Sequence, residues 1–102
     1  MSAMLHILGA TLATATEKEE IVCRGLLRLS IAEHTALNQQ TDPAQLAAHI
    51  KTMTYADWVQ VLSRQTLLER LSSLGVLQAT QVLAHLKQTL IEKQSLLTIA
   101  AR

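Results

Sequence analysis

At 102 residues the chain has the length of one domain, and its formal net charge of +1 excludes the dense basic field that non-specific phosphate binding requires. With 49% hydrophobic and 17% charged residues it is not a disordered chain, and the apolar surplus points towards association. The single cysteine, Cys23, excludes an intrachain disulfide and a Cys-rich zinc site, and fits a reducing compartment.

Trp58 and Tyr55 are the only aromatic residues, so the core must come from Leu, Ile, Val, Met and Ala, which interlock well between helices. The first stretch, Ala3 to Ala15, is mostly apolar, and Ala13-Thr14-Ala15 imitates a signal-peptidase site. No Lys or Arg precedes it, and no apolar run reaches the ~18 to 20 residues of a membrane helix. The expectation is a cytoplasmic, unprocessed protein without a membrane span.

Leu5, Leu8, Leu12, Ala15, Glu19, Val22, Leu26, Leu29, Glu33 and Ala36 recur at alternating spacings of three and four, the rhythm of one long helix from near the start to Gln39. Thr16-Glu17-Lys18-Glu19 has the form of a capping box, which would begin a second helix there. Ala10, Ala13 and Ala15 favour continuity whereas Thr11, Thr14 and Thr16 are poor interior residues, so both arrangements stay open.

Asn38 to Pro43 reads as a loop, with Asp42 or Thr41 as N-cap and Pro43 at the first helical position. A short helix to about Thr52 follows, carrying Leu46, His49, Ile50 and Met53 on one stripe, and Thr54-Tyr55-Ala56-Asp57 caps the next. In that next helix Trp58, Val59 and Leu62 share a face, while Leu67, Leu71 and Leu74 lie nearly opposite across Ser63-Arg64-Gln65. It either kinks there or is buried on both sides. Gly75 is a C-terminal stop.

From Val76 to Ala100 the residues Val76, Ala79, Leu83, Leu86, Leu90, Lys93, Leu97 and Ala100 form an a/d stripe with one polar intruder, on a helix that would be roughly 37 Å long. Leu77, Ala84 and Ile91 add a weaker strip round its side, enough for two partners.

Glu33 falls within the apolar arc of its helix, with His34 and Ser30 beside it, and His49 also sits on an apolar stripe. Such a cluster suits either an active or ligand site or a polar residue that fixes register in a helical seam, and the second account is preferred. The four histidines, His6, His34, His49 and His85, are each alone on their segments, with neither a His pair at i, i+4 nor a Glu-x-x-His, so no metal ligand set is assigned. His85 lies opposite the apolar stripe, as a phosphotransfer histidine would, but Gln88 and Thr89 stand where a histidine-phosphotransfer domain has its Lys and a small residue. Cys23 has no histidine within reach by sequence, and Gly9, Gly25 and Gly75 build no phosphate loop. Neither a catalytic residue nor a cofactor is assigned.

The stretch from Leu74 to Lys87 resembles the turn and recognition helix of helix-turn-helix regulators, which implies a second helix able to enter the DNA major groove. Leu77 occupies the family's capping position, one residue is inserted before Val82, and Gln78, Thr80, Gln81 and Lys87 come without an arginine. Asp42 to Ala48 resembles the loop and second helix of type III secretion needle subunits, a likeness that any well-capped Asp-Pro helix shares and that the flanking residues do not continue.

The sequence therefore predicts a single-domain, all-α protein: a small helical bundle of four to five helices with long N- and C-terminal amphipathic helices. It predicts a non-enzymatic interaction module, an adaptor, chaperone or regulator, that pairs with a protein partner or with a second copy of itself. Leu83, Leu86, Leu90, Lys93 and Leu97 form the expected interface, joined by Leu26, Leu29 and Glu33. A helix-turn-helix DNA-binding regulator is the alternative, and a small metal-binding or enzymatic bundle centred on Glu33, His34 and His49 stands third.

Overall fold

A computed structural model of the chain describes residues 2–35 and 42–100, and for 98–100 the backbone alone. The described residues form seven helices and no strand, so the chain is an all-α bundle with more, shorter helices than the four or five expected.

Thr16 decides whether the first third is one helix or two. Its hydroxyl donates to the Leu12 carbonyl at 2.7 Å and accepts from the Lys18 N–H at 3.4 Å, while Glu17 enters the left-handed region at φ 59°. The chain breaks here, giving α1 (Ala3–Thr16) and α2 (Glu20–His34). The break occurs where the capping box suggested, but Thr16 closes the first helix instead of opening the second. Glu19 is the N-cap of α2 and makes no side-chain cap bond.

Two long helices divide in the same way. What reads as one element from Tyr55 to Leu74 is α4 (Tyr55–Leu62) and α5 (Gln65–Ser73), with the Ser63 hydroxyl on the Val59 carbonyl at 2.7 Å and Arg64 extended at φ -71°, ψ 134°. The bend lets Trp58, Val61 and Leu62 on one helix and Leu67 and Leu71 on the next enter one core. The expected helix from Val76 to Ala100 is α6 (Ala79–Glu92) and α7 (Ser95–Ala100), separated at Lys93 and Gln94.

Several ends form where local chemistry places them. Ahead of α3 (Pro43–Thr52), the Asp42 carboxylate accepts from the Ala44 N–H at 3.0 Å. The alternative cap Thr41, the loop residues 38–40 and Ala36 lie outside the described residues. Thr54 and Asp57 form a reciprocal capping box at α4, with bonds of 3.0 and 3.2 Å. Gly75, at φ 82°, closes α5 in a Schellman turn: the Val76 N–H reaches the Leu71 carbonyl and the Gly75 N–H that of Ser72, both at 3.0 Å.

The core gathers Met4, Leu5, Leu8 and Leu12 of α1 with Leu27 and Ile31 of α2, Trp58 and Leu62 of α4, and Leu86 and Leu90 of α6. α1 packs against both α2 and α6. Gly9 brings α1 close to its neighbour, since a Cβ there would lie 2.5 Å from Cγ of Arg24. No helix among the described residues is long and apolar enough to cross a membrane.

Candidate interaction surface

The expected seam of the last third exists, and it faces inwards. Leu83, Leu86 and Leu90 are buried in this chain's own core, the last two with no exposed surface. Leu97 is partly buried against the same core, and Lys93 is exposed at the C-cap of α6, where the helix stops instead of continuing the stripe. The helix-on-helix burial that these leucines promised is met within the single chain.

On α2 the inward face is Cys23, Leu27, Ser30 and Ile31, one position round from the stripe of Val22, Leu26, Leu29 and Glu33. Val22 is exposed, and Leu26 and Leu29 are half-buried. Glu33 stands at the rim, its carboxylate gripped by both terminal nitrogens of the Arg70 guanidinium of α5, Nη1 to Oε1 and Nη2 to Oε2, the second at 2.9 Å. The guanidinium beside it holds the Glu33 carboxyl below the usual carboxylate range.

The polar cluster expected around Glu33 is therefore divided. Glu33 is occupied by Arg70, and Ser30 is fully buried with its hydroxyl unpartnered. His34 and His49 act instead, weakly and through charge alone, on Asp57, which the sequence marked only as part of a helix cap. Its carboxyl is held low chiefly by the Thr54 backbone N–H, with smaller contributions from the Thr54 hydroxyl and from His34 and His49. Among the described residues no three His, Cys, Asp or Glu are placed to hold a metal ion. Cys23 is buried, and burial pushes its thiol up, away from the reactive thiolate. His85 is exposed on α6, across a shallow groove from Ala10, Thr11 and Thr14 of α1.

The segment resembling a helix-turn-helix has α5, a glycine turn and α6 in the required order. The side of α6 turned to solvent carries Thr80, Gln81, Ala84, His85 and Gln88, and Lys87 is half-buried in a hollow that it shares with Arg64. That side offers DNA no exposed arginine or lysine.

The large exposed apolar side chains among the described residues are instead Ile21 and Val22 at the start of α2, Leu74 and Leu77 in the turn before α6, and Ile91. Leu77 is the extreme case at 85% exposure. It does not hang from a slack loop. The Schellman bonds anchor the backbone on one side, and on the other Gln78 holds a left-handed φ of 58° and accepts from the Gln81 N–H at 2.9 Å. Left-handed backbone costs a residue with a Cβ about 1 to 2 kcal/mol. The sequence placed Leu77 on the weaker side strip with Ala84 and Ile91, and all three are exposed, Leu77 from the turn ahead of α6 and not from the helix itself. Comparison with protein-family models, curated proteins and solved structures finds no significant match for the chain.

Proposed function

We propose that the protein is a non-enzymatic helical interaction module that pairs with another protein, a second copy of itself included, through the apolar turn of Leu74 and Leu77. The observation that carries this reading is Leu77, a leucine almost wholly exposed on a hydrogen-bonded turn. A residue whose backbone is held in place before contact loses little backbone freedom on binding, and burying its side chain yields roughly 1.5 to 3 kcal/mol. The buried leucines of α6 are committed to the core and leave the contact to residues outside it. An adaptor, chaperone or regulator would all use such a surface, and the free, buried Cys23 suits a reducing compartment such as the cytoplasm.

Sedimentation of the purified protein across the micromolar range tests this reading. Self-association that weakens in Leu77→Ser, with helix content unchanged, is the expected result. A monomer at every concentration, indifferent to that substitution, would remove its basis. The helix-turn-helix alternative has the right order of elements but no cationic face, and the metal or enzyme alternative has Glu33 committed to Arg70. No observation favours either.

A further inference from the structure

Two hollows meet at the first turn of α1. One, of about 240 Å³, is walled by Leu5, Leu46, Ala47 and Ile50, and Arg28 lines it. The other, of about 330 Å³, is lined by Met4, Leu96, Leu97 and Lys51. Ser2 and Ile50 border both, so the two adjoin as one trough between α1, α3 and α7.

The charged side chains that line this trough among the described residues, Arg28 and Lys51, are both basic. Among the described residues no Asp or Glu lines either hollow, and neither ion pair, Arg24 with Glu20 or Arg70 with Glu33, uses Arg28. Arg28 and Lys51 stand at opposite hollows, and α1 directs its N-terminal end between them with no acid in its first turn. Asp42 precedes Pro43, which also lines the first hollow, but its own carboxylate accepts from the Ala44 N–H at the start of α3 and is not part of the lining. Apolar walls with one or two polar groups that fix orientation are the pattern of small-molecule sites. A guanidinium is the fork that suits a carboxylate. A membrane surface would call for several clustered cations, each adding about 1 kcal/mol.

We infer that this trough binds a free medium-chain monocarboxylate, its carboxylate on Arg28 and its alkyl chain over Pro43, Leu46 and Ala47 towards the second hollow. The inference is independent of the Leu77 contact. The test titrates the full chain, labelled with 15N, with decanoate and follows amide shifts alongside calorimetry. Saturable one-to-one binding is expected, with the largest shifts at Leu46 to Lys51 and at Ser2 to Leu5.

Decanol and decyltrimethylammonium, which keep the chain and change the head, should bind at least about tenfold more weakly, as should decanoate to Arg28→Gln. Ala47→Trp, at an exposed position of the wall, should fill the first hollow and abolish binding, while Leu77→Ser should leave it unchanged. Circular dichroism establishes that each variant is folded, and Arg28→Gln, at a partly exposed position, decides the matter if Ala47→Trp does not fold. Absence of saturable binding, equal binding of decanol, an Arg28→Gln affinity equal to that of the parent, or binding to anionic phospholipid vesicles without binding of monomeric decanoate would each overturn the inference.

Discussion

The Glu33–Arg70 pair ties α2 to α5 across 37 positions of sequence, and it makes stability depend on pH in a definite direction. Both side chains are about one third exposed, so solvent screens the pair and its worth is about 1 kcal/mol. The Glu33 carboxyl is depressed below its ordinary 4.5 by the Arg70 guanidinium. A depressed acid contributes fully above its unfolded value, and the contribution disappears as pH falls through the folded value. Arg70→Gln should therefore lower stability in urea melts by about 1 kcal/mol at pH 7, and the gap from the parent should close on acidification below about pH 4. Both proteins should still lose stability in acid, because Asp57, held low first by the Thr54 N–H, titrates in each. A gap independent of pH would show that Arg70 acts through its packing. At this scale little of the site was legible: Glu33 stood out as a charge in an apolar arc, but no local pattern names a partner 37 residues away.

At the scale of elements, the legible features were those whose chemistry is local. Asp42-Pro43, Thr54 to Asp57 and Gly75 each satisfy or end a helix using groups within about one turn, and each stands where the sequence placed it. The buried face of α2 was not legible. A three-residue turn at Glu17 to Glu19 resets the helical phase, so a rhythm carried over from α1 marks Val22 and Leu26 where the core takes Cys23 and Leu27. Leu26, Leu27 and Leu29 are all apolar and cannot correct the error themselves. Val76 likewise belongs to the stop of α5 and not to the start of α6, because the Schellman turn uses its N–H. The left-handed Gln78 that follows leads to an expected outcome. Gln78→Gly should raise stability by about 0.5 to 1 kcal/mol, the relieved left-handed strain less the added freedom of the unfolded chain. Thr54→Ala should lower it by about 1 kcal/mol through loss of the cap. Denaturant melts of the two variants beside the parent provide the check, and a Gln78→Gly protein no more stable than the parent would mean that the turn carries no strain.

Across the whole molecule, the all-α class was legible because leucine spacing fixes which element forms, whereas what covers each face depends on contacts between distant segments. α6 shows the difference: its stripe of Leu83, Leu86 and Leu90 was correctly located, and α1, α4 and α5 of the same chain pack against the helix that carries it. That arrangement predicts an uneven distribution of stability. α1 buries Met4, Leu5, Leu8 and Leu12 and packs against α2, α6 and α7, so its amides can open only when the core opens. α3 buries only Ile50 within its span, with Met53 just beyond, and its main neighbour is α2. Opening α3 alone exposes few apolar atoms and costs correspondingly little. Native-state hydrogen exchange should therefore find amides of Leu8 to Leu12 and of Leu86 to Leu90 protected to the global unfolding free energy, while those of Ala47 to Lys51 exchange through a cheaper local opening. Leu86→Ala, which removes a fully buried side chain, should cost about 2 to 5 kcal/mol and lower protection in α1 and α6 together. Protection in α3 should change little until the global free energy falls to meet the local one, because the α3 opening leaves the α1–α6 contact intact. Equal protection across all three helices would instead make α3 part of the cooperative core, and its scarcity of buried residues would then be a poor guide to how the bundle opens.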